Sequence, residues 1–374
     1  MTGRRSSAMT IRRGSILALL ALAFAASDAV PSSLVVGVQD RRLGVDLGVP
    51  ELDPVGNSQT SVRATWTYDV SDALTLISQG GFASSYLELN DTRVSGTTDA
   101  RFRALYRPRP DWALGAGTIV PFGVYELTAA EVTAAQWAWL PNGGFPLNRL
   151  GEGFGWELTA AKGFHLGPGA TAGLAVAWLR HAEFKLLDPA VGGDYRLGTE
   201  TSLSAATDFE LSPAARLRID GMYRLYGPDQ LAGEDHVEQG DQGEVGMSLD
   251  AAGPWTGSAG VRFVFKSDNE FTGGEEDSVA SFSQTPGTLI LLDGRIGRAA
   301  SEKVLLYLTG RVSLLSSTDY IQGDGTTYAF GPGIGWVASP AVRVGLQYNY
   351  IVGEADDIEG FDGHDVLFTL EVRP

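Results

Sequence analysis

Histidine is scarce in this chain of 374 residues, with four copies, and cysteine is absent. Acid–base chemistry would have to use His165, His181, His236 or His364, or carboxylates. His181 has the most suggestive company, because Ser202, Ser204 and Asp208 follow it in the next alternating segment. A nucleophilic serine needs an imidazole within hydrogen-bond reach and a carboxylate to orient that imidazole. Adjacent strands could bring these types together. Without cysteine there is no disulfide framework and no thiolate metal site. The 48 glycines do not form a phosphate-cradling loop. Many, such as Gly115, Gly117, Gly331, Gly333 and Gly335, sit inside alternating segments, where they allow close packing and bending of a curved sheet.

A second constellation is made of charges at alternate positions. Arg63, Arg101, Arg103, Arg216, Arg218, Asp220, Arg224, Arg262, Asp293, Arg295, Arg311 and Arg343 each lie opposite apolar neighbours, as do Asp69, Glu157, Asp208, Glu210, Glu244 and Asp250. Facing a water-filled interior, such groups would select solutes or pair across strands, and the two roles are compatible. Three further acidic groups, Glu234–Asp241, Asp268–Asp277 and Asp356–Asp365, lack the fixed spacing of a calcium loop and read as solvated surface. No cofactor or metal is expected. With 45 acidic and 28 basic residues the chain is also a poor nucleic-acid binder.

The elements that must carry these groups have a period of two. In Lys303–Leu314, Val304, Leu306, Leu308, Val312 and Leu314 share one face, and Lys303, Tyr307, Thr309, Arg311 and Ser313 share the other. Successive strand side chains point to opposite faces, so this is a strand with one apolar side. The pattern recurs around Val62–Tyr68, Phe102–Tyr106, Leu217–Leu225, Ala259–Phe265, Val342–Tyr350 and Val366–Val372. These segments run about nine to eleven residues, the length at which a tilted strand crosses a bilayer. The connectors alternate in length. Short ones fall near Val70–Asp72, Pro108–Asp111, His165–Ala170, Leu211–Ala214, Gly253–Pro254, Ala299–Glu302 and Ala338–Ala341. Long ones fall at Asn90–Thr98, Val124–Gly153, Lys185–Thr199, Pro228–Gln242, Ser267–Gly287, Ser316–Thr326 and Glu354–His364. A β-sandwich has no reason to keep that parity; a transmembrane barrel does.

The expected fold is therefore all-β: a single antiparallel transmembrane β-barrel of about sixteen strands, with fourteen as the alternative. Sixteen requires a strand before Thr60, and Arg42–Val49 supplies one, with Leu43, Val45, Leu47 and Val49 on the apolar side. Aromatics near strand ends, among them Trp66, Tyr106, Trp336 and Tyr350, suit the two membrane interfaces. At the N-terminus, Arg4, Arg5, Arg12 and Arg13 precede an apolar run from Ile16 to Ala26 and small residues up to Ala29. That order predicts a secretory signal over 1–29 and a barrel over 30–374.

On this signal, hairpin parity and terminal amphipathic strand, the chain resembles the porin-type outer-membrane barrels of Gram-negative bacteria. The resemblance implies a place in the cell outer membrane, with short turns periplasmic and long loops extracellular. It implies contact with outer-membrane lipid, lipopolysaccharide, the barrel-assembly machinery and small-molecule solutes. Classical porins are trimers, but no residue here marks a trimer face, so a homo-oligomer stays open. The final strand departs from the usual aromatic ending, with Phe368 internal and Val372–Arg373–Pro374 last. In sixteen-stranded porins the third external loop narrows the pore. Here that loop is Val124–Gly153, and its helix-forming half carries Glu126, Glu131, Trp137 and Trp139 as the candidate constriction, with a surface helix as the alternative. Barrel enzymes exist, but parity turns His181, Ser202 and Ser204 inward, away from lipid substrate, so no enzyme is expected. The expected function is a channel for diffusion of small polar solutes. The alternatives are a transporter for fatty acids or aromatic hydrocarbons, and a closed structural barrel that binds surface partners.

Overall fold

A computed structural model of the chain describes residues 33–46, 54–123, 128, 131, 151–185, 194–271, 286–316, 323–356 and 358–373. Strands β1 (Ser33–Asp46), β2 (Val55–Ser71) and β3 (Leu74–Leu87) open the barrel wall. β4 (Thr92–Thr97) and β5 (Ala100–Arg109) both pair with β3 and together make one stave. The wall continues through β6 (Trp112–Val120), β7 (Gly155–Gly167) and β8 (Ala170–His181). Next come β11 (Glu200–Ser212), β12 (Ala215–Tyr226), β15 (Gln242–Ala251), β16 (Thr256–Lys266), β18 (Thr288–Ser301) and β19 (Val304–Ser316). β20 (Gly325–Ser339), β21 (Val342–Ala355) and β22 (Ile358–Val372) complete it. All neighbours are antiparallel, and β22 pairs with β1 from Leu34↔Val372 to Asp46↔Gly360. The result is a closed barrel of sixteen staves. Closure leaves no sheet edge with unpaired backbone groups, which a hydrocarbon environment requires.

Three of the short turns share a local cause. Register slips of one residue occur at Asp69/Ser71, Glu210/Ser212 and Ala299/Ser301. In each, a serine hydroxyl accepts a backbone N–H two residues on, from Ala73, Ala214 and Lys303. This local bond offers the chain an alternative to the ladder and turns it back.

One face of each stave carries large exposed apolar side chains: Leu306 and Leu308 on β19, Leu203 on β11, Val245 and Met247 on β15, Phe263 and Phe265 on β16. This outward face is the apolar surface that period two required. At the long-loop end the polarity reverses. Asp40, Arg42, Thr60 and His364 are outward there, with Arg42 bonded to Asp40. Inward, Leu43, Val45, Ile351 and Phe361 form a buried cluster with Ala329 against it. Leu87, Val94 and Ile119 are buried on the same inward face. The wall thus rises past its apolar band and continues as a water-facing collar.

This reversal corrects the expected first strand. It runs Ser33–Asp46, not from Arg42, and Leu43 and Val45 point inward rather than to lipid. Residues 47–49 lie outside the described residues. Two expected long loops are also short. The chain turns at Glu88–Asn90, with Asp91 in the left-handed region, and 92–97 is strand. β21 extends to Ala355 and β22 starts at Ile358, so the last hairpin is tight.

Other long loops build a second, five-stranded sheet. Its order is β17 (Glu270–Phe271), β14 (Glu234–Glu238), β13 (Pro228–Leu231), β10 (Asp194–Arg196) and β9 (Phe184–Lys185). Asp229 latches it: this carboxylate, 3% exposed, accepts bonds from the Tyr195 hydroxyl, the Gly198 N–H at 2.6 Å and Gln239 at 3.3 Å. Ala232 and Gly233 both have positive φ between β13 and β14, the backbone of a two-residue hairpin turn.

Candidate functional site

The cross-strand registers place the twelve singled-out charges on the inward face, opposite the exposed apolar side chains. Arg63 shares a face with Gln59 and Ser61 on β2, and Arg101 and Arg103 on β5 face Gln79 and Ile77 on β3. Arg216, Arg218, Asp220 and Arg224 on β12 face Glu210, Asp208, Ala206 and Ser202 on β11. Arg262, Asp293, Arg295 and Arg311 follow on β16, β18 and β19, and Arg343 on β21 faces Glu371. Several, including Arg63, Arg216, Arg218, Asp293, Arg295 and Arg311, are exposed. Side chains that point into the barrel and are still exposed leave open space in the lumen at their level.

Many of these charges are tied to one another. Glu200, Arg224, Glu244, Arg262, Asp220 and Arg218 form a ladder across β11, β12, β15 and β16. Arg262 is its hinge, 3.1 Å from Glu244 and 3.1 Å from Asp220. Gly246 makes the room: a Cβ there would meet the Arg262 guanidinium at 3.1 Å and the Asp220 carboxylate at 3.2 Å. On another wall, Arg101 bonds Glu152 at 2.8 Å and Arg103 bonds Glu157 at 2.8 Å. Gly117 seats the second pair, since its Cβ would lie 2.8 Å from Glu157. Strand glycines here are seats for a neighbour's large inward side chain. Gly333 likewise lies under the Tyr307 ring, 2.2 Å from where its Cβ would be, and Arg295 stacks on that ring at 4.6 Å.

A cavity of about 540 Å³ opens between β1, β16 and β18–β22. Arg41, Arg295, Arg311, Asp293 and Asp365 line it, with the amides Gln39, Gln347 and Asn349. Arg41 and Asp365 pair at 3.3 Å, with side chains 10% and 5% exposed. Gln39 donates to Asp365 at 2.8 Å, Asn349 donates to the same carboxylate at 3.5 Å, and Thr309 donates to Asn349 at 2.9 Å. Gln39, Arg41 and Asp365 were not among the expected lining residues. Gln39 and Arg41 alternate with Val36 and Val38, upstream of the strand expected from Arg42. Asp365, grouped above with the solvated acidic residues, is a lumen-lining residue of β22.

The structure does not assemble a Ser–His–Asp site. His181 is buried and faces Gly155 on β7, while Ser202 lies opposite Ala177 and Ser204 opposite Ala175. Four residues separate His181 from the level of Ser202, about 13 Å along a strand. In the candidate constriction, Glu131 is helical and its carboxylate accepts the Thr128 N–H at 2.9 Å, one arm of a capping box. Glu126, Trp137 and Trp139 lie outside the described residues.

The chain matches no protein-family profile, and no curated protein matches it in sequence. Solved structures do resemble it in architecture. OccAB3 of Acinetobacter baumannii aligns at 7% identity and TM-score 0.45, over 91% of this chain and 98% of its own. A bacterial polysaccharide outer membrane secretin aligns at 11% and 0.47, over 92% and 99%. The outer membrane protein OpdK of Pseudomonas aeruginosa aligns at 10% and 0.43, over 91% and 98%. The closed barrel of sixteen staves rests on this chain's own strand pairing and not on these alignments.

Proposed function

We propose that this protein is an outer-membrane channel for the diffusion of small polar solutes. The observation that carries the reading is the water-accessible, charged inward face of a closed sixteen-strand wall. Eight strands make a barrel that its own side chains fill, whereas sixteen leave an aqueous interior. In this reading the short turns are periplasmic, the collar and the five-stranded sheet are extracellular, and residues 1–29 are the export signal. Segment 126–140 narrows the passage, so its deletion raises conductance. The lumen cavity is lined by guanidinium, carboxylate and amide groups, which favours polar over hydrophobic cargo.

The test is planar-bilayer conductance of the purified protein under a salt gradient. Stable ohmic steps are expected. The reversal potential should be small, because inward charges of both signs nearly balance. Correctly folded, heat-modifiable protein that passes no current would overturn the channel.

A further inference from the structure

Asp293 on β18 and Arg311 on β19 are direct cross-strand partners on the inward face. Opposite charges in that relation ordinarily close on each other. Here neither makes an ion pair or a side-chain hydrogen bond among the described residues. The contrast with Arg41–Asp365, Arg103–Glu157 and the Arg262 ladder is sharp, because those charges are closed. A glycine makes room for the divergence. The Asp293 carboxylate leans across to β16 over Gly260, 3.2 Å from where a Cβ on that glycine would sit. Arg311 is close enough to Arg41 for the two positive charges to act on each other, and the Arg41 charge is already matched by Asp365. Among the described residues Arg311 therefore has a positive neighbour and no ion-paired anion, and Asp293 has no ion-paired cation, while Arg295 in the same cavity stacks on Tyr307 instead. Both are exposed and border the same cavity of about 540 Å³, which Gln347 and Asn349 also line. That volume falls in the range of small-molecule sites.

We infer that this cavity is a subsite for a small zwitterion, a neutral α-amino acid, whose carboxylate meets Arg311 and whose ammonium meets Asp293. A simple anion would satisfy Arg311 and leave Asp293 unmatched; a simple cation would do the reverse. Only a solute that carries both charges answers both groups. The flat guanidinium fork suits a carboxylate. The inference rests on the channel reading for its biological sense but not for its test.

The test is saturation-transfer NMR on the detergent-folded protein, with L-alanine, acetate and ethylammonium as probes at equal concentration. Alanine should bind most tightly. Arg311→Gln should weaken alanine and acetate about tenfold, the loss of one charge-assisted bond, and leave ethylammonium unchanged. Asp293→Asn should weaken alanine and ethylammonium and spare acetate. If a glutamine at 311 prevents folding, judged by heat-modifiable migration, Arg311→Lys replaces it and should weaken alanine less. Alanine binding equal to acetate, or unchanged in both variants, would overturn the subsite. Bilayer conductance separates the two claims: an open channel without alanine binding removes the subsite alone, and alanine binding to a non-conducting barrel removes the channel alone.

Discussion

The pair Arg41–Asp365 gives the sharpest energetic prediction. At 3.3 Å the Coulomb attraction is about 5 kcal/mol for an effective dielectric of roughly 20. Burial to 10% and 5% exposure costs each ion a comparable desolvation, so the intact pair contributes little net stability. Removing one partner is different, because it strands the other charge. Arg41→Met should cost about 3 kcal/mol, the lower end for a broken buried pair, since Gln39 and Asn349 still donate to Asp365. Asp365→Asn should cost more, because it leaves Arg41 and Arg311 unbalanced side by side. The double variant should cost about 2 kcal/mol less than the sum. Urea unfolding in phospholipid vesicles, followed by tryptophan fluorescence, measures all three. Additive costs within about 0.5 kcal/mol, or Arg41→Met costing more than Asp365→Asn, would refute the account of this pair.

Three further outcomes follow from the wall. Gly333→Ala should reduce the folded, heat-modifiable fraction, because its Cβ would enter the Tyr307 ring, whereas Gly310→Ala, with nothing within 4 Å, should not. Arg262→Ala frees the Glu244 and Asp220 carboxylates in the lumen, so the reversal potential should shift toward cation preference; stability should change by about 1 kcal/mol or less, because its side chain is 40% exposed. Asp229→Asn weakens the latch of the five-stranded sheet, and trypsin should then cut after Lys185 or Arg196 while the barrel stays heat-modifiable.

Much of the barrel was legible because its causes are local. Alternation sets which side chains share a face, and a one-residue error would send a whole hydrophobic set to the wrong side. The serine turns at Ser71, Ser212 and Ser301 are local too. Leu43 and Val45 misled because alternation names two faces without saying which is inward. Lipid defines the outward face only within the apolar band, and above it the preference inverts. The polar segment Thr92–Thr97 lacks a hydrophobic period, and its strand exists because β3 offers a pairing edge beside it.

The sequence by itself determined the closed-sheet architecture, the parity of turns and loops, and the inward set of arginines and carboxylates, because each depends on neighbours along the chain. Only the tertiary structure decided which charges meet. Glu200, Arg224, Glu244 and Arg262 are joined by strand register, and Arg41 meets Asp365 across a chain separation of 324 residues. Glycines on neighbouring strands then set where each side chain can lean, which leaves room for the Arg262 ladder over Gly246 and for Asp293 over Gly260.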